Sequence, residues 1–459
     1  MEEQLWLACK DGKVQEVIKL LQNEQINVNT NWQSILDPLS PPFFIACYYG
    51  CTDIVKLLLS DKRIDFNKTK DEYNQTSLYI ACRNGHIEIV KLLLNDERVD
   101  VNQGNEYFGC TPFYIACHNG HIEIVKLLLN DERVDFNETN DEYNQTSLYI
   151  ACRNGHLEVV KLLLNDERVD VNKTNNYDQT PFFTACQKGH SEIVKLLLND
   201  KRVDINKTNR IDQTPLSFAC YYGHFEVVKL LLNDNRIDIN QTNRINQTPF
   251  HYACCYGHIE IVKLLLNDKR VDINKPTNDG ETPFYSACYN GKLGVVKLLL
   301  NDERLEVNKR DEDNGFTPLH YVCQINHFEI VQHILAMRRE INLNVKDNNA
   351  KTAIDVVRER ERERAEWETE VGFQERKRKC AKILELLESF QRNPNEMRTK
   401  LRVQLGFAGK FICYKFLLLL NYFIFYISTI SVFQDKDAVS IYSMIILFSD
   451  SYLDFKKRN

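Results

Sequence analysis

The sequence carries no catalytic signature. A Gly-x-Ser-x-Gly nucleophile elbow is missing, as are a P-loop, the His-Arg-Asp and Asp-Phe-Gly sets of kinases, and an Asp-His-His-Cys acyl-transfer motif. Charge of one sign is missing too. The 58 Lys and Arg stand against 64 Asp and Glu, a net −6, so the chain as a whole has no field that would gather nucleic acid. A single strand would find aromatic rings but no basic groove. The opening Met1-Glu-Glu-Gln is acidic and lacks an apolar signal core, so export is not expected and a cytoplasmic location is. Convergent metal-ligand spacing is also absent. A tetrahedral zinc site takes four converging ligands, usually in CxxC or HxxxH-type pairs, and neither Cys47/Cys51 nor Cys254-Cys255 supplies one. The chain is therefore expected to use no metal or cofactor and to be no enzyme.

What is present is one unit written roughly ten times. Around Ala151 it reads Thr146-Ser-Leu-Tyr-Ile-Ala-Cys-Arg-Asn-Gly-His156, then Leu-Glu-Val-Val-Lys-Leu-Leu-Leu164, then Asn-Asp-Glu-Arg-Val-Asp-Val-Asn172. The Ala-Cys pair recurs at Ala8, Ala46, Ala81, Ala116, Ala151, Ala185, Ala219, Ala253 and Ala287, with Val322-Cys323 in the tenth slot. After a first gap of 38 the spacings are 34 or 35 residues. A fixed period of this length means a stacked array of small repeats, which overrides the prior of about three domains that 459 residues would suggest. Ten of the 15 cysteines occupy this one position. Stacked repeats lie about 8–10 Å apart, whereas a disulfide needs Cα atoms within about 7 Å, so the ladder cannot pair. These thiols read as small buried apolar groups in a reducing compartment.

Each repeat has a physical reading. Thr-Pro opens it at Thr111, Thr180, Thr214, Thr248, Thr282 and Thr317. Threonine caps a helix, and proline fits the first turn, where its missing N–H costs nothing. A short helix with Ala-Cys on its packing side follows. Gly-His ends it, at Gly85, Gly120, Gly155, Gly189, Gly223 and Gly257, because glycine suits the left-handed turn after a helix. A second helix, such as Ile122-Glu-Ile-Val-Lys-Leu-Leu-Leu129, carries a wide apolar face. The linker Val134-Asp-Phe-Asn137 alternates apolar and polar residues, as a short extended hairpin would. Residues 66–101 and 136–171 are nearly identical at an offset of two repeats, which points to duplication in blocks of two.

This pattern resembles the ankyrin repeat. The resemblance rests on Thr317-Pro-Leu-His320 and Thr248-Pro-Phe-His251, and on Gly-His-x-Glu-Ile/Val-Val-Lys-Leu-Leu-Leu in several repeats; it covers about residues 1–390. It implies an all-α repeat solenoid of about ten to eleven helix-turn-helix repeats with short β-hairpin loops. It also implies that the histidine ladder (His86, His121, His156, His190, His224, His258, His327) is structural, each ring hydrogen-bonding in a turn. Three departures stand out. The opening histidine is elsewhere Tyr79, Tyr114, Tyr149, Phe183, Ser217 or Tyr285. The second alanine is always cysteine. The usual Gly-Ala before Asp-Val-Asn becomes Glu-Arg-Val or Lys-Arg-Val, one residue longer, so the exit from the second helix is expected to differ.

The ends diverge. Residues 1–40 read as a polar N-terminal cap repeat, 41–350 as the array, and 351–392 as a divergent cap with a charged helical extension. In that last segment Cys380, Ile383, Leu384, Leu387 and Phe390 form one apolar stripe able to close the stack. Arg376-Lys-Arg-Lys379 is either a targeting signal or acidic-partner patch, or, among interleaved glutamates, a solvated helix face; the second reading is favoured. Residues 393–459 form a hydrophobic tail. Its uncharged run 416–433 just reaches the length of a membrane span and follows several basic residues, which would keep the repeats cytosolic. Translated non-coding sequence or a buried or disordered tail would read the same way, and the three stay open.

The remaining function class is binding. The family likeness puts the variable positions of the first helices on the concave side, and the partner-contact residues expected there are Tyr48, Tyr49, Arg83, His118, Arg153, Lys188, Tyr221, Tyr222, Tyr256 and Tyr289. Tyr and Arg are frequent interface anchors. Thr184, Gln187, Phe218 and Tyr252 share these positions, as do Ile45, Ile80, Ile115 and Ile150, which read equally as partner contacts or as packing. The expectation is a monomeric, non-catalytic scaffold or adaptor for one or more proteins, with a membrane-tethered adaptor as the alternative.

Overall fold

The computed structural model describes residues 1–32, 39–67, 75–106, 108–140, 142–337, 339–364 and 368–407. These residues build helices in pairs. The first helices of successive repeats are Glu2–Lys10, Pro42–Tyr49, Ser77–Asn84, Pro112–Asn119, Ser147–Asn154, Pro181–Lys188, Pro215–Tyr222, Pro249–Tyr256, Pro283–Tyr289 and Pro318–Gln324. Second helices run Val14–Leu21, Thr52–Leu59, Ile87–Leu94, Ile122–Leu129, Leu157–Leu164, Ser191–Asn199, Phe225–Leu232, Ile259–Asn267 and Leu293–Leu300. All of these belong to one compact unit, Met1–Ile325 with Val345–Ala353. Within it each first helix as far as Pro283–Tyr289 packs on its own second helix, and all ten pack on the first helices of adjacent repeats. Helices of two turns are marginal alone. Their stability comes from that packing, where the Ala-Cys pairs are fully buried with Ile124, Val125 and Leu128 and their equivalents.

Local signals work as the sequence suggests. Thr111 Oγ1 accepts the amide of Tyr114 at 3.1 Å, and Thr76, Thr146, Thr180 and Thr282 cap their helices likewise. Gly155 adopts φ +81° after its helix, and the same turn recurs at Gly85, Gly120, Gly189, Gly223 and Gly257. The linkers differ from regular hairpins. Phe136 and Asn137 lie in a turn, no strand forms among the described residues, and the finger that links each second helix to the next capping threonine closes with backbone bonds such as Asn175 N–H to Gln179 O at 3.0 Å. Isolated bridges pair Trp32 with Ser40 and Thr139 with Thr146.

Side-chain ladders that end on backbone join the repeats, and three of them run along most of the array. In the first, His156 Nε2 meets the His118 carbonyl at 2.8 Å, His190 that of Arg153 at 3.0 Å and His258 that of Tyr221 at 2.9 Å. The histidine rungs are thus occupied by carbonyls of the preceding repeat. In the second, Asn137 is a two-point clamp. Its Nδ2 donates to the Arg168 carbonyl at 2.7 Å, and its Oδ1 accepts the Asp170 amide at 2.7 Å. Asn67, Asn102, Asn172, Asn206, Asn240 and Asn274 repeat the contact.

The third ladder accounts for the altered exit from the second helix. No left-handed glycine ends that helix; Asn165 stays right-handed at φ −74°. Asp166 accepts the Arg168 amide and pairs with its guanidinium, and Arg168 Nη2 reaches the Leu129 carbonyl of the preceding repeat at 3.0 Å. Arg133 reaches Leu94, Arg202 reaches Leu164, and Arg236, Arg270 and Arg304 continue the series. The last carbonyls of a helix are orphans at its negative end. Arginine from the next repeat caps them, where an ankyrin repeat would place glycine.

Tyrosine in the opening motif has an equally specific partner. Tyr149 Oη donates to Gln179 Oε1 at 3.2 Å, and Tyr114 reaches Gln145 at 3.1 Å. Where histidine remains, His251 and His320 close capping boxes on Thr248 and Thr317.

The second compact unit comprises, among the described residues, those of Asn326–Asn344 and those from Ile354 to Phe407. Its helices Phe328–Leu335 and Pro394–Gln404 pack on the long helix Glu370–Arg392. Cys380, Ile383, Leu387 and Phe390 are buried on that helix together with Leu386, while Leu384 is half-buried. Arg376 is held by Glu368 at 2.6 Å, whereas Lys377, Arg378 and Lys379 are exposed. No helix among the described residues is long and apolar enough to cross a membrane. The run 416–433 lies outside the described residues.

Candidate functional site: the first-helix face

A first helix has one turn of stacking residues and a last turn that faces out. That last turn carries the variable pair two and three residues after each alanine. Arg83, His118, Arg153 and Lys188 are exposed there, as are Tyr49, Tyr222, Tyr256 and Tyr289; Tyr289 keeps 52% of its surface. Tyr48, Gln187, Phe218 and Tyr221 are half-buried. Thr184 and Tyr252 are buried and offer a partner nothing. The four isoleucines resolve the same way. Ile45, Ile80, Ile115 and Ile150 are all buried, because each directly precedes the stacking alanine and shares its packed side.

The tyrosines form a connected surface. Tyr221 lies 4.4 Å from Tyr256, 4.7 Å from Tyr222 and 5.8 Å from Tyr252, between ring centroids. Phe218 joins Tyr222 at 5.9 Å and extends the cluster to Phe183. A second group sets Tyr321 against Tyr289 and Tyr285. A hydrogen bond with Tyr221, and after it burial, raises the Tyr256 phenol above its ordinary range, so that hydroxyl stays protonated at neutral pH. The half-buried rings fix the exposed ones, which leaves little side-chain freedom to lose on contact.

The same face has no carboxylate. From Pro42–Tyr49 to Pro318–Gln324 none of the first helices contains Asp or Glu. Most second helices in that span carry one in their first turn, for example Glu88, Glu123 and Glu158.

The fingertips add a stripe that sequence reasoning missed. Phe108, Tyr143, Tyr177, Ile211 and Ile245 each sit three residues before a capping threonine, and all are exposed. Successive tips are tied by backbone bonds, Asn176 N–H to Tyr143 O at 2.9 Å and Arg210 N–H to Tyr177 O at 3.1 Å. The signal was available as an apolar residue recurring in a polar linker. Exposed apolar residues in a row mark contact surfaces.

The cysteine ladder offers no chemistry to this face. Burial pushes the Cys82, Cys117, Cys152 and Cys220 thiols far above their ordinary value, which removes the reactive thiolate. Among the described residues no three metal-ligating side chains converge.

Comparison with known proteins agrees with this geometry. No curated protein matches the chain. A sequence profile described as ankyrin repeats (3 copies) matches residues 5–105, 97–175, 167–243 and 235–311, and one described as ankyrin repeats (many copies) matches 290–333. Those matches run without a gap through the stacked helix pairs, and the chain belongs to the ankyrin-repeat family.

Proposed function

We propose that this protein is a non-catalytic scaffold or adaptor that holds another protein on its first-helix face, in the cytoplasm. Ankyrin repeats are in general protein-interaction modules. The observation that carries the reading is the tyrosine surface of Tyr222 and Tyr256, exposed on rigid helices and supported from behind by Tyr221, Phe218 and Tyr252, with the exposed Tyr289 set against Tyr321. Solvated rings of this size make strong anchors once a partner excludes water. Unpaired buried thiols are consistent with a reducing compartment.

Affinity capture with cross-linking from cell extract tests the reading. The wild-type chain should retain a defined set of proteins that the Tyr222→Ala/Tyr256→Ala variant loses, with both proteins equally stable to heat. Identical capture by the two would remove the tyrosine surface from the binding site.

A further inference from the structure

We infer that the partner segment is an acidic peptide with a bulky apolar anchor, its carboxylates on Arg83, Arg153 and Lys188 and its anchor on the Tyr222–Tyr256 surface. This rests on the protein-binding reading above and names the chemistry of the partner. The chain holds 64 acidic residues and a net charge of −6, yet no carboxylate falls on any first helix from residue 42 to residue 324. The cations there are Arg83, Arg153 and Lys188. All three are exposed, and none forms an ion pair among the described residues.

On the fingertips Asp178 is paired with Arg210 at 3.7 Å and Asp212 with Arg244 at 3.2 Å, while Glu142 is exposed and takes a hydrogen bond from Tyr143. These first helices themselves therefore carry only positive formal charge in a negative protein. Such a patch attracts anionic segments and repels cationic ones.

Polarity along the stack then sets an order. Cations occupy the repeats of Arg83, Arg153 and Lys188, and the clustered tyrosines follow at Tyr221, Tyr222 and Tyr256. Arg153 and Tyr222 are two repeats apart, about 16–20 Å at ordinary helix-packing distances. An extended chain covers that in about five or six residues. A nucleic-acid strand fits less well, because three cations spread over four repeats cannot track closely spaced phosphates.

The test uses the full chain and a phage-displayed library of random peptides of about 16 residues. Enriched peptides should carry Asp or Glu and, about five or six residues away, Phe, Leu or Trp. By fluorescence anisotropy the best peptide should bind at least about tenfold more weakly to Arg83→Glu/Arg153→Glu, and to Tyr222→Ala/Tyr256→Ala. Added salt should weaken it as well. Lys377→Glu/Arg378→Glu, in the second compact unit, should leave it unchanged and controls for overall charge. The assignment fails if no peptide is enriched, if enriched peptides are neutral or basic, if Arg83→Glu/Arg153→Glu binds normally, or if an oligo(dT) strand binds more tightly than the best peptide. Protein capture that survives in Arg83→Glu/Arg153→Glu would sink the charge assignment alone and leave the scaffold reading standing.

Discussion

The imidazole of His190 fills the space that a side chain on Gly155 would need. A Cβ there would lie 2.8 Å from the ring's Cε1, while the ring's Nε2 holds the Arg153 carbonyl at 3.0 Å. Gly155 is thus required twice, for its left-handed φ of +81° and for the histidine of the next repeat.

That double requirement can be separated. A left-handed backbone costs a residue with a Cβ about 1–2 kcal/mol, and the contact with the ring adds to it. Gly155→Ala should therefore destabilise more in the wild type than in a His190→Ala background. A double-mutant cycle read from urea unfolding checks this. Strict additivity would show that the ring gives way freely.

Removing the asparagine clamp should weaken one joint. Asn137→Ala deletes two hydrogen bonds to the next repeat and should cost about 1–2 kcal/mol. Asn137→Asp keeps the acceptor for the Asp170 amide but turns an oxygen toward the Arg168 carbonyl, so it should be no better than alanine. Hydrogen exchange should show the loss nearest the joint between these two repeats. Uniform loss along the array would contradict a local clamp.

Buried histidines predict acid sensitivity of a definite sign. Burial lowers the His251 pKa from 6.5 to about 4, and it lowers that of His320 as well. The unfolded chain binds the extra proton between those values, so this stability is complete above the unfolded pKa and is lost as pH falls toward 4. For His251 alone the effect approaches about 3 kcal/mol at the acid end. Melting temperature should fall as pH drops from 6.5, and His251→Tyr/His320→Tyr should flatten that slope. The Asp166-type carboxylates, held low mainly by hydrogen bonds from their arginines, lose their contribution only in stronger acid.

Tyrosines that look alike in sequence should differ in stability cost. Tyr222→Ala and Tyr256→Ala remove exposed rings and should change stability by about 0.5 kcal/mol or less. Tyr221→Ala removes a half-buried ring that touches four others and should cost about 1–3 kcal/mol. Calorimetry of the single variants distinguishes them; equal melting temperatures would mean that Tyr221 is not a support.

Helix pairs, threonine caps and glycine turns were legible because each is a local signal repeated many times. The Arg168 and Asn137 contacts were not. Their sequence signature, Asp-x-Arg-x-Asp-x-Asn, recurs plainly, but the targets are backbone atoms in adjacent repeats, up to about forty positions away in sequence. Periodicity likewise placed Ile80 and Arg83 on one helix without saying which of them a neighbouring repeat covers. The fingertip residues Tyr177 and Ile211 escaped notice because linkers have no period of their own to mark a face.

The joints between repeats recognise backbone carbonyls and amides, which all residues but proline possess, and so they are indifferent to what the neighbouring repeat displays. A repeat cut from one place in the array would find the same acceptors at another. The chain can consequently lengthen, shorten or reshuffle by recombination between its own near-identical segments, with the joints conserved and the display rearranged. Binding specificity in such a protein is an ordering problem. New surfaces arise from the sequence in which old modules follow one another, before any single residue needs to mutate.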